Sequence, residues 1–358
     1  MQGSKASSGR LLTLDAMRGV AALVVVLHHS EQNFQSKFGP GFAYGYIAVD
    51  VFFLMSGYVI AHAYEAKMRG ELSVWDFFVV RMKRLYPMLA FGALLGGGIA
   101  FALGRFPAWA MATLSSLTFL PLVAKDMALY PINAVQWSVT IEILINMLHR
   151  VLVRWLNVWV LVALAAASYA LTCYAVWRLE DVSNGWAKFN FWAGVPRAGY
   201  SYFIGVLVYR LTTVGKLKAP SIPAPAILAA LVGVVLLEPL VAPTLISKNA
   251  YWLLVVGLAF PPMLVLLVNA SLSPRLEGTA KLLGDVSYPL YATHGPLIVI
   301  SQPLILMLDP FGRHVATIVA VVAYVLFALL VDRAFDRPVR AWLNRRRAPP
   351  AASDAAAP

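Results

Sequence analysis

Long apolar runs, separated by short polar stretches, dominate this sequence. Most of these runs are about 20 residues long, which is the length that an α-helix needs to cross the hydrocarbon core of a bilayer. The pattern predicts an all-α fold, a polytopic membrane helical bundle with about ten transmembrane helices. The predicted spans are residues 11–30, 46–65, 85–104, 137–156, 157–177, 190–212, 222–242, 249–269, 284–306 and 313–333.

Two further segments do not fit a simple series of spans. In residues 66–84, the apolar side chains of Trp75 and Phe78 are followed by a basic group. This pattern predicts a separate amphipathic helix on the cytoplasmic face. Residues 107–124 are apolar, but a span there would reverse the orientation of every later span. We therefore expect this segment to be a helix that is only partly embedded, on the outer side of the membrane.

Composition supports a membrane location and narrows the chemistry. Hydrophobic residues make up 60% of the chain and charged residues 13%, whereas a soluble domain has roughly 25% charged residues. A water-soluble core could not bury so much apolar surface, but a bilayer removes the need to bury it. Cys173 is the single cysteine of the chain, so neither a disulfide nor a multi-cysteine metal site can form within it. No metal is expected.

The net charge of +12 comes mostly from basic residues between the predicted spans. In a soluble protein this excess would suggest nucleic acid as a partner. Here membrane topology explains the excess, and no nucleic acid partner is expected. Lys and Arg residues are about threefold more frequent on the side that holds both termini, so the positive-inside rule predicts that both termini are cytoplasmic.

These patterns divide the chain into three parts. Residues 1–10 are expected to be a cytoplasmic tail. The apolar run that follows is expected to be a retained helix rather than a signal peptide, because Asp15 and Arg18 interrupt it. Residues 11–335 are the predicted membrane domain. Residues 336–358 are basic at first and then rich in Ala and Pro, and they are expected to be a disordered cytoplasmic tail.

The first predicted span carries ionisable residues, which are costly inside a membrane and therefore mark candidate functional positions. Ten residues separate Arg18 from His29. The two side chains therefore fall within about 20° of each other around the helix and about 16 Å apart along it. Asp15 lies one turn from Arg18 on roughly the same face. The alternative is that Arg18 extends to the lipid headgroups and that His29 marks the outer interface.

Three other predicted spans add polar residues. Asp50 lies near the outer end of the second span, and His294 lies in the ninth. Glu142 and Ser138 lie one turn apart in the fourth span. Together with His29, these groups could meet in one membrane cavity and transfer protons there. For Asp50 and Ser138 the alternative is a polar contact between helices of the bundle, whereas an unpartnered carboxylate at Glu142 would be hard to explain structurally.

Five sequence segments follow one another in the order found in a family of membrane enzymes. They are LDAMRGVAALVVVLHH with Arg18 and His29, VDVFFLMSGYVI, RMKR from Arg81 to Arg84, WSVTIE from Trp137 to Glu142, and LGDVSYPLYATH ending at His294. In this order they resemble the acyltransferase 3 family, whose members are integral membrane O-acyltransferases acting on carbohydrates and related hydroxyls. The resemblance runs from about residue 11 to about residue 335. His28 adds a second imidazole beside the family's Arg-ten-residues-His motif.

The resemblance implies transfer of an acyl group, often acetyl, from cytoplasmic acyl-coenzyme A to a carbohydrate hydroxyl. Acyl-coenzyme A, with acetyl-coenzyme A first, is the expected donor. The expected partners are membrane lipid and a carbohydrate or glycolipid acceptor, such as a surface polysaccharide or a lipid-linked precursor. The expected location is the inner or plasma membrane of a bacterium.

The family's chemistry and the helix geometry together give a mechanistic hypothesis for the donor. Arg81 and Arg84, with Arg18 nearer the membrane, would bind its phosphates, because the planar guanidinium group matches the geometry of phosphate. The extended arm of the donor would then lie along the first helix and present the thioester near His29.

At the other end, His29 would act as general base on the acceptor hydroxyl, with Glu142 or Asp50 orienting its ring. His294 would lie in the same cavity. An acyl-enzyme intermediate on Ser138 or His29 is the alternative route.

Two other functions fit part of the pattern. A multi-span secondary transporter or exporter also has about ten spans and buried charges, and it would give flux without an acyl product. A glycan-handling partner without activity would tolerate substitution of His29 and Glu142. The order of the motifs favours the enzyme.

Overall fold

The computed structural model describes residues 2–36, 41–104, 108–122, 128–241 and 244–345, with side chains from residue 12 onward except at residue 108. Within these ranges the chain is helical, and its extended pairing is limited to two isolated bridges. The predicted all-α fold is confirmed. Seven helical segments in the described ranges are long and apolar enough to cross a membrane.

Thirteen α-helices follow one another in the described residues. They are α1 (Gln2–Phe34), α2 (Ala48–Arg69), α3 (Val74–Ala102), α4 (Ala108–Thr118), α5 (Gln136–Leu152), α6 (Val158–Leu179), α7 (Phe191–Thr213), α8 (Ala224–Val241), α9 (Lys248–Leu254), α10 (Phe260–Val268), α11 (Glu277–Leu306), α12 (Pro310–Val331) and α13 (Arg337–Arg345). Single π-helical turns at Val255–Ala259 and Asp332–Asp336 join α9 to α10 and α12 to α13, so each pair forms one continuous segment.

Each predicted span coincides with one of these helices or, for residues 249–269, with the α9–α10 segment. The seven segments with the length and hydropathy of a span do not include α5, α7 and α11. These three helices carry buried polar residues, among them Asn146, Arg197 and His294. α5, with 17 residues, is also short for a span. In α7 and α11 the buried polar residues lower the hydropathy of the helix although they are hidden from lipid. The count of ten spans and the cytoplasmic side of the termini stay predictions.

The prediction of a separate amphipathic helix over residues 66–84 is wrong. α2 continues to Arg69, a turn follows, and α3 starts at Val74 and continues through the next apolar run. The Ser73 hydroxyl caps α3 by accepting a hydrogen bond from the backbone N–H of Asp76 at 3.0 Å. Only a change in polarity separates the basic group from the apolar run, and a change in polarity does not end a helix.

Other segments outside the predicted spans are also helical. The helix predicted within residues 107–124 is α4, whose 11 residues rise about 16 Å, too little to cross about 30 Å of hydrocarbon. α1 begins at Gln2, so the backbone of the predicted tail over residues 1–10 is helical from there. At the other end, α13 occupies the first part of the predicted tail over residues 336–358. The predicted disorder of residues 346–358 lies outside the described residues.

Close backbone contacts at glycines bring the central helices together. α1 packs against α11 where Gly19 meets the backbone of Leu283 and where Gly284 meets Asp15. A Cβ atom at either glycine would overlap its neighbour. Small residues allow this kind of approach between membrane helices, where packing takes over from the hydrophobic effect. The contact fixes the faces of α1 and α11 that point at each other.

A buried ion pair holds α2, α7 and the α9–α10 segment together. Arg197 Nη2 lies 2.8 Å from Asp50 Oδ2, and Arg197 Nε lies 3.0 Å from Asp50 Oδ1. The indole N–H of Trp252 donates to the same carboxylate at 3.3 Å. The guanidinium carbon also lies 5.8 Å and 5.3 Å from the ring centres of Trp137 and Trp252. With so many partners, this pair is a structural link between helices.

We expect Arg197→Met to destabilise the protein strongly, because the substitution leaves the Asp50 carboxylate buried without its cation. Breaking a buried pair in this way costs about 3–5 kcal/mol. Thermal unfolding of the purified protein in detergent should therefore show a large fall in Tm. The control is Lys248→Met, which removes a half-exposed ammonium group 4.0 Å from Asp181 and should leave Tm nearly unchanged. Equal Tm values for the two variants would contradict the structural role of the pair.

Candidate functional site

A cavity of about 400 Å³ lies between α1, α2, α3, α5 and α11. This volume is within the range of roughly 300–1,000 Å³ that small-molecule sites occupy. Arginine side chains line one end of the cavity, and apolar and aromatic side chains line the other. The walls include Asp15 and five of the predicted donor-binding and catalytic residues, namely Arg18, Arg81, Arg84, Ser138 and Glu142.

Three arginines form the basic end of the cavity. Arg18 on α1 is held by the Asp15 carboxylate at 2.7 Å and by the Ser287 hydroxyl of α11 at 2.9 Å. Arg84 lies almost one turn along α3 from Arg81, and it is exposed. Among the residues that the structure describes, Arg84 has no carboxylate within ion-pair distance. Guanidinium groups held at one mouth in this way can bind an anion such as phosphate.

Glu142 on α5 links the basic end to the middle of the cavity. Its Oε1 accepts hydrogen bonds from Arg81 Nη2 at 2.7 Å and from the Ser56 hydroxyl at 2.8 Å. The carboxylate therefore has the partner that a charge inside a membrane needs. That partner is an arginine on α3 rather than a histidine on α1.

The far end of the cavity combines two hydroxyl groups with an apolar wall. Ser138 Oγ and the Tyr291 hydroxyl are 2.7 Å apart, within hydrogen-bond distance. The Tyr291 ring also packs edge-on against Phe52, with ring centres 5.3 Å apart. These contacts close the cavity at the end away from the arginines.

Two predicted histidines stack against each other about one helical turn beyond Tyr291. The ring centres of His29 on α1 and His294 on α11 are 5.3 Å apart, and the His294 and Tyr291 rings are 5.8 Å apart. His294 Nδ1 lies 3.1 Å and 2.9 Å from the carbonyl oxygens of Leu290 and Tyr291, so Nδ1 is the protonated nitrogen. His294 Nε2 has no hydrogen-bond partner in the described part of the chain. The ring is therefore fixed in one tautomer.

The second imidazole of the motif has a different environment. His28 is buried, its Nδ1 lies 3.0 Å from the carbonyl oxygen of Phe42, and its ring packs edge-on against Tyr46. His28 thus contacts the segment that follows α1, whereas His29 contacts α11. Of the two neighbouring histidines, His29 is the one that faces His294.

The single cavity predicted from the sequence is divided in the structure. His29 and His294 are not among the residues that line it, and the ring of Tyr291 lies between the cavity and the histidine pair. The arginines and Glu142 are on one side of this ring, and the imidazoles are on the other. The polar groups are neighbours, but they do not share one open space.

Asp50 belongs to neither group. Both of its oxygens accept hydrogen bonds from Arg197, and it also accepts one from Trp252. We predicted that Asp50 or Glu142 orients the His29 ring. In the structure these carboxylates bind Arg197 and Arg81 instead. Asp50 lies in the first turn of α2, near the end of the span as predicted, but the rotation of α2 about its axis turns this carboxylate toward α7.

Sequence analysis missed Tyr291, Arg197 and Ser56. Tyr291 could have been found, because it precedes His294 by about one turn on the same helical face. Arg197 also gave a signal, because it interrupts an apolar run in which a charge is costly. Ser56 gave none, since a serine in a membrane helix more often forms an ordinary contact between helices.

We expect Gly19→Ala to separate α1 from α11 and to destabilise the protein. The new Cβ would overlap the backbone of Leu283, and overpacking of this kind costs about 1–3 kcal/mol. Gly98→Ala is the matched control, because nothing lies within 4 Å of a Cβ built at that position. Thermal unfolding in detergent should show a lower Tm for Gly19→Ala and no loss for Gly98→Ala. A Tm for Gly19→Ala equal to that of the unsubstituted protein would refute the close contact.

Comparisons with known proteins show what the chain is similar to. A family model described as an acyltransferase domain matches residues 11–333. A protein of Rhizobium radiobacter named protein 2 in the picA locus is 33% identical over 171 residues, which cover 42% of this chain and 85% of that protein. A protein of Komagataeibacter xylinus named as a membrane-bound transacylase, BcsY, is 27% identical over 340 residues, which cover 89% of this chain and 81% of that protein. No solved structure matches the chain significantly.

Proposed function

The chain belongs to the acyltransferase 3 family and is an integral membrane acyltransferase, and we propose that it transfers a short acyl group from acyl-coenzyme A to a carbohydrate hydroxyl. Acetyl is the first choice for the acyl group. The observation that carries this proposal is the order of groups along the cavity. Arginines lie at one end, two hydroxyl groups and an apolar wall lie at the other, and a histidine pair follows about one turn beyond.

The basic end suits the phosphates of the donor. Arg18 and Arg81 are already held in place by carboxylates, and Arg84 is exposed at the same end. With the phosphates bound there, the uncharged arm of coenzyme A would extend through the cavity. The thioester would then lie beside Ser138 and Tyr291, and the apolar wall at Phe52 would face the acyl chain. Because the wall at Phe52 closes this end of the cavity, we expect the acyl group to be short.

The reaction exchanges a thioester for an oxygen ester. His29 accepts the proton of the acceptor hydroxyl while that oxygen attacks the thioester carbonyl carbon, so a C–O bond forms and the C–S bond breaks. The same proton then passes to the coenzyme A sulfur, which leaves as a thiol. One of the two hydroxyl groups donates in the hydrogen bond between Ser138 and Tyr291. The other can donate to the carbonyl oxygen as negative charge develops on it. The Tyr291 ring turns aside to let the acceptor reach the carbonyl carbon.

His294 takes the positioning role that the sequence suggested for a carboxylate. Its Nδ1 is fixed by two backbone carbonyls, and its ring stacks on His29. A stacked, immobile ring limits the orientations that His29 can adopt. His29 therefore meets the acceptor hydroxyl in a defined orientation, which general base catalysis requires.

Mass spectrometry tests the proposed reaction. Surface glycans and glycolipids are compared between cells with and without the gene, and the purified protein is then supplied with labelled acetyl-coenzyme A and the candidate acceptor. A gene-dependent mass difference of one acetyl group, reproduced by the purified protein, supports the proposal. If no acyl-coenzyme A gives labelled product with the purified protein, the proposal is wrong. A transporter would give flux of the glycan without a change in its mass.

We expect His29→Ala to lower kcat by at least about 100-fold, because a general base contributes about 10²–10⁴-fold. His28→Ala is the control on the same helix, and it should keep most of the activity because His28 contacts the carbonyl of Phe42 instead. Initial rates with acetyl-coenzyme A are compared at equal amounts of folded protein. Full activity of His29→Ala would remove His29 from the mechanism.

A further inference from the structure

We propose that Arg340, on the C-terminal helix α13, is a fourth cation of the donor phosphate site and that Asp336 positions it beside Arg84. The inference rests on the proposed function, because it concerns the same donor. Arg340 lies in residues 336–358, which the sequence predicts to be a disordered tail, and it lies outside the segments that carry the family resemblance.

α13 is docked on α3 beside the basic end of the cavity. Lys83 Nζ donates a hydrogen bond to the carbonyl oxygen of Leu343 at 2.6 Å. Just before α13, the Phe335 ring packs on Phe91 of α3 with ring centres 5.2 Å apart. Because Lys83 directly precedes Arg84 in the chain, this docking places α13 next to the exposed arginine of the cavity.

Asp336 pairs with one guanidinium group and interacts electrostatically with a second. Its Oδ2 is 2.7 Å from Arg340 Nη2, and Asp332 adds a longer contact of 3.6 Å to the same nitrogen. Asp336 is also close enough to Arg84 to interact with it electrostatically. Arg84 in turn interacts with Arg340, with Arg18 and with the third arginine of the basic end. Arg84 is therefore the guanidinium group that interacts electrostatically with each of the other three.

The contact between Arg340 and Asp336 leaves hydrogen-bonding capacity unused. Arg340 Nε and Asp336 Oδ1 are both buried without a hydrogen-bond partner in the described part of the chain. The pair therefore makes one contact where a bidentate arginine–carboxylate pair makes two. A quarter of the Arg340 side chain is exposed, at 25%. A phosphate that arrives at the cavity mouth can thus bind the exposed part of this guanidinium group, although not the buried Nε.

The alternative is that Arg340 serves only to dock α13, but another residue already has that role. Arg337 Nη2 lies 2.7 Å from Asp285 Oδ2 on α11, and Arg337 Nε lies 2.6 Å from Asp332 Oδ2. The pair of Arg340 with Asp336, by contrast, stays within one helical segment. Removal of the Arg340 charge should therefore leave α13 docked through Arg337 and the Phe335 contact.

The test measures donor affinity with and without phosphates. Arg340→Gln is compared with Arg345→Gln, which removes the same charge from an exposed position at the end of α13. Calorimetry on the full-length protein in nanodiscs gives Kd for coenzyme A and for dephospho-coenzyme A, and initial rates give kcat/KM for S-acetylpantetheine, which has no phosphate. We expect Arg340→Gln to raise the Kd for coenzyme A about tenfold or more, as for the loss of a charged hydrogen bond. It should leave S-acetylpantetheine turnover unchanged.

Dephospho-coenzyme A identifies the phosphate that Arg340 contacts. If the weakening persists with this ligand, Arg340 binds the diphosphate, and if it disappears, Arg340 binds the 3′-phosphate. Either result supports the inference when Arg345→Gln binds coenzyme A as the unsubstituted protein does.

An unchanged Kd for coenzyme A in Arg340→Gln would overturn the inference, and so would an equal loss with S-acetylpantetheine. In both cases the proposed function stands as long as the unsubstituted protein transfers acetyl from acetyl-coenzyme A. If the unsubstituted protein does not transfer acetyl, the proposed function itself has failed. If Arg340→Gln does not accumulate, Arg340→Met replaces it. This variant removes the charge but keeps an apolar stem of similar length, so a Kd equal to that of the unsubstituted protein would again overturn the inference.

Discussion

The close contact between α1 and α11 is the constraint on which the functional site depends. Glycines at positions 19 and 284 let the two backbones approach, and this approach aligns both ends of the shared face. Near one end, Arg18 reaches the Ser287 hydroxyl. At the other, His29 stacks on His294. A single helix pair thus sets the position of the candidate anion site and of the candidate base together.

Paired charges determine much of the remaining helix arrangement. A lone charge near the middle of a membrane helix costs about 2.5–3.5 kcal/mol on insertion scales, so each one selects a partner on a neighbouring helix. The pair of Asp50 and Arg197 links α2 to α7, and the pair of Glu65 and Arg210 links the same helices near their other ends. The contact of Arg81 with Glu142 links α3 to α5. Only the last of these pairs lies in the cavity wall, where a ligand could compete for it.

Periodicity and apolar length predicted the helices because both are local properties of the chain. The shared face of Arg18 and His29 follows from 3.6 residues per turn, and the structure places both residues against α11. Sequence does not give the rotation of one helix relative to another, and this is why Asp50 was placed with His29 instead of Arg197. The predicted end of a helix at Arg84 failed for a different reason, because polarity changes after Arg84 without any residue that stops a helix.

The position of the Tyr291 ring would affect how fast a bound thioester donor is hydrolysed by water. The ring is held by Ser138 and by Phe52, between the cavity and the histidine pair. A thioester resting in the cavity would then be screened from the imidazole, and a stray water molecule could not be activated against it. An acceptor large enough to displace the ring would be needed to bring base and thioester together. The position of the Tyr291 ring, rather than exclusion of solvent from the whole protein, would then limit hydrolysis of the thioester.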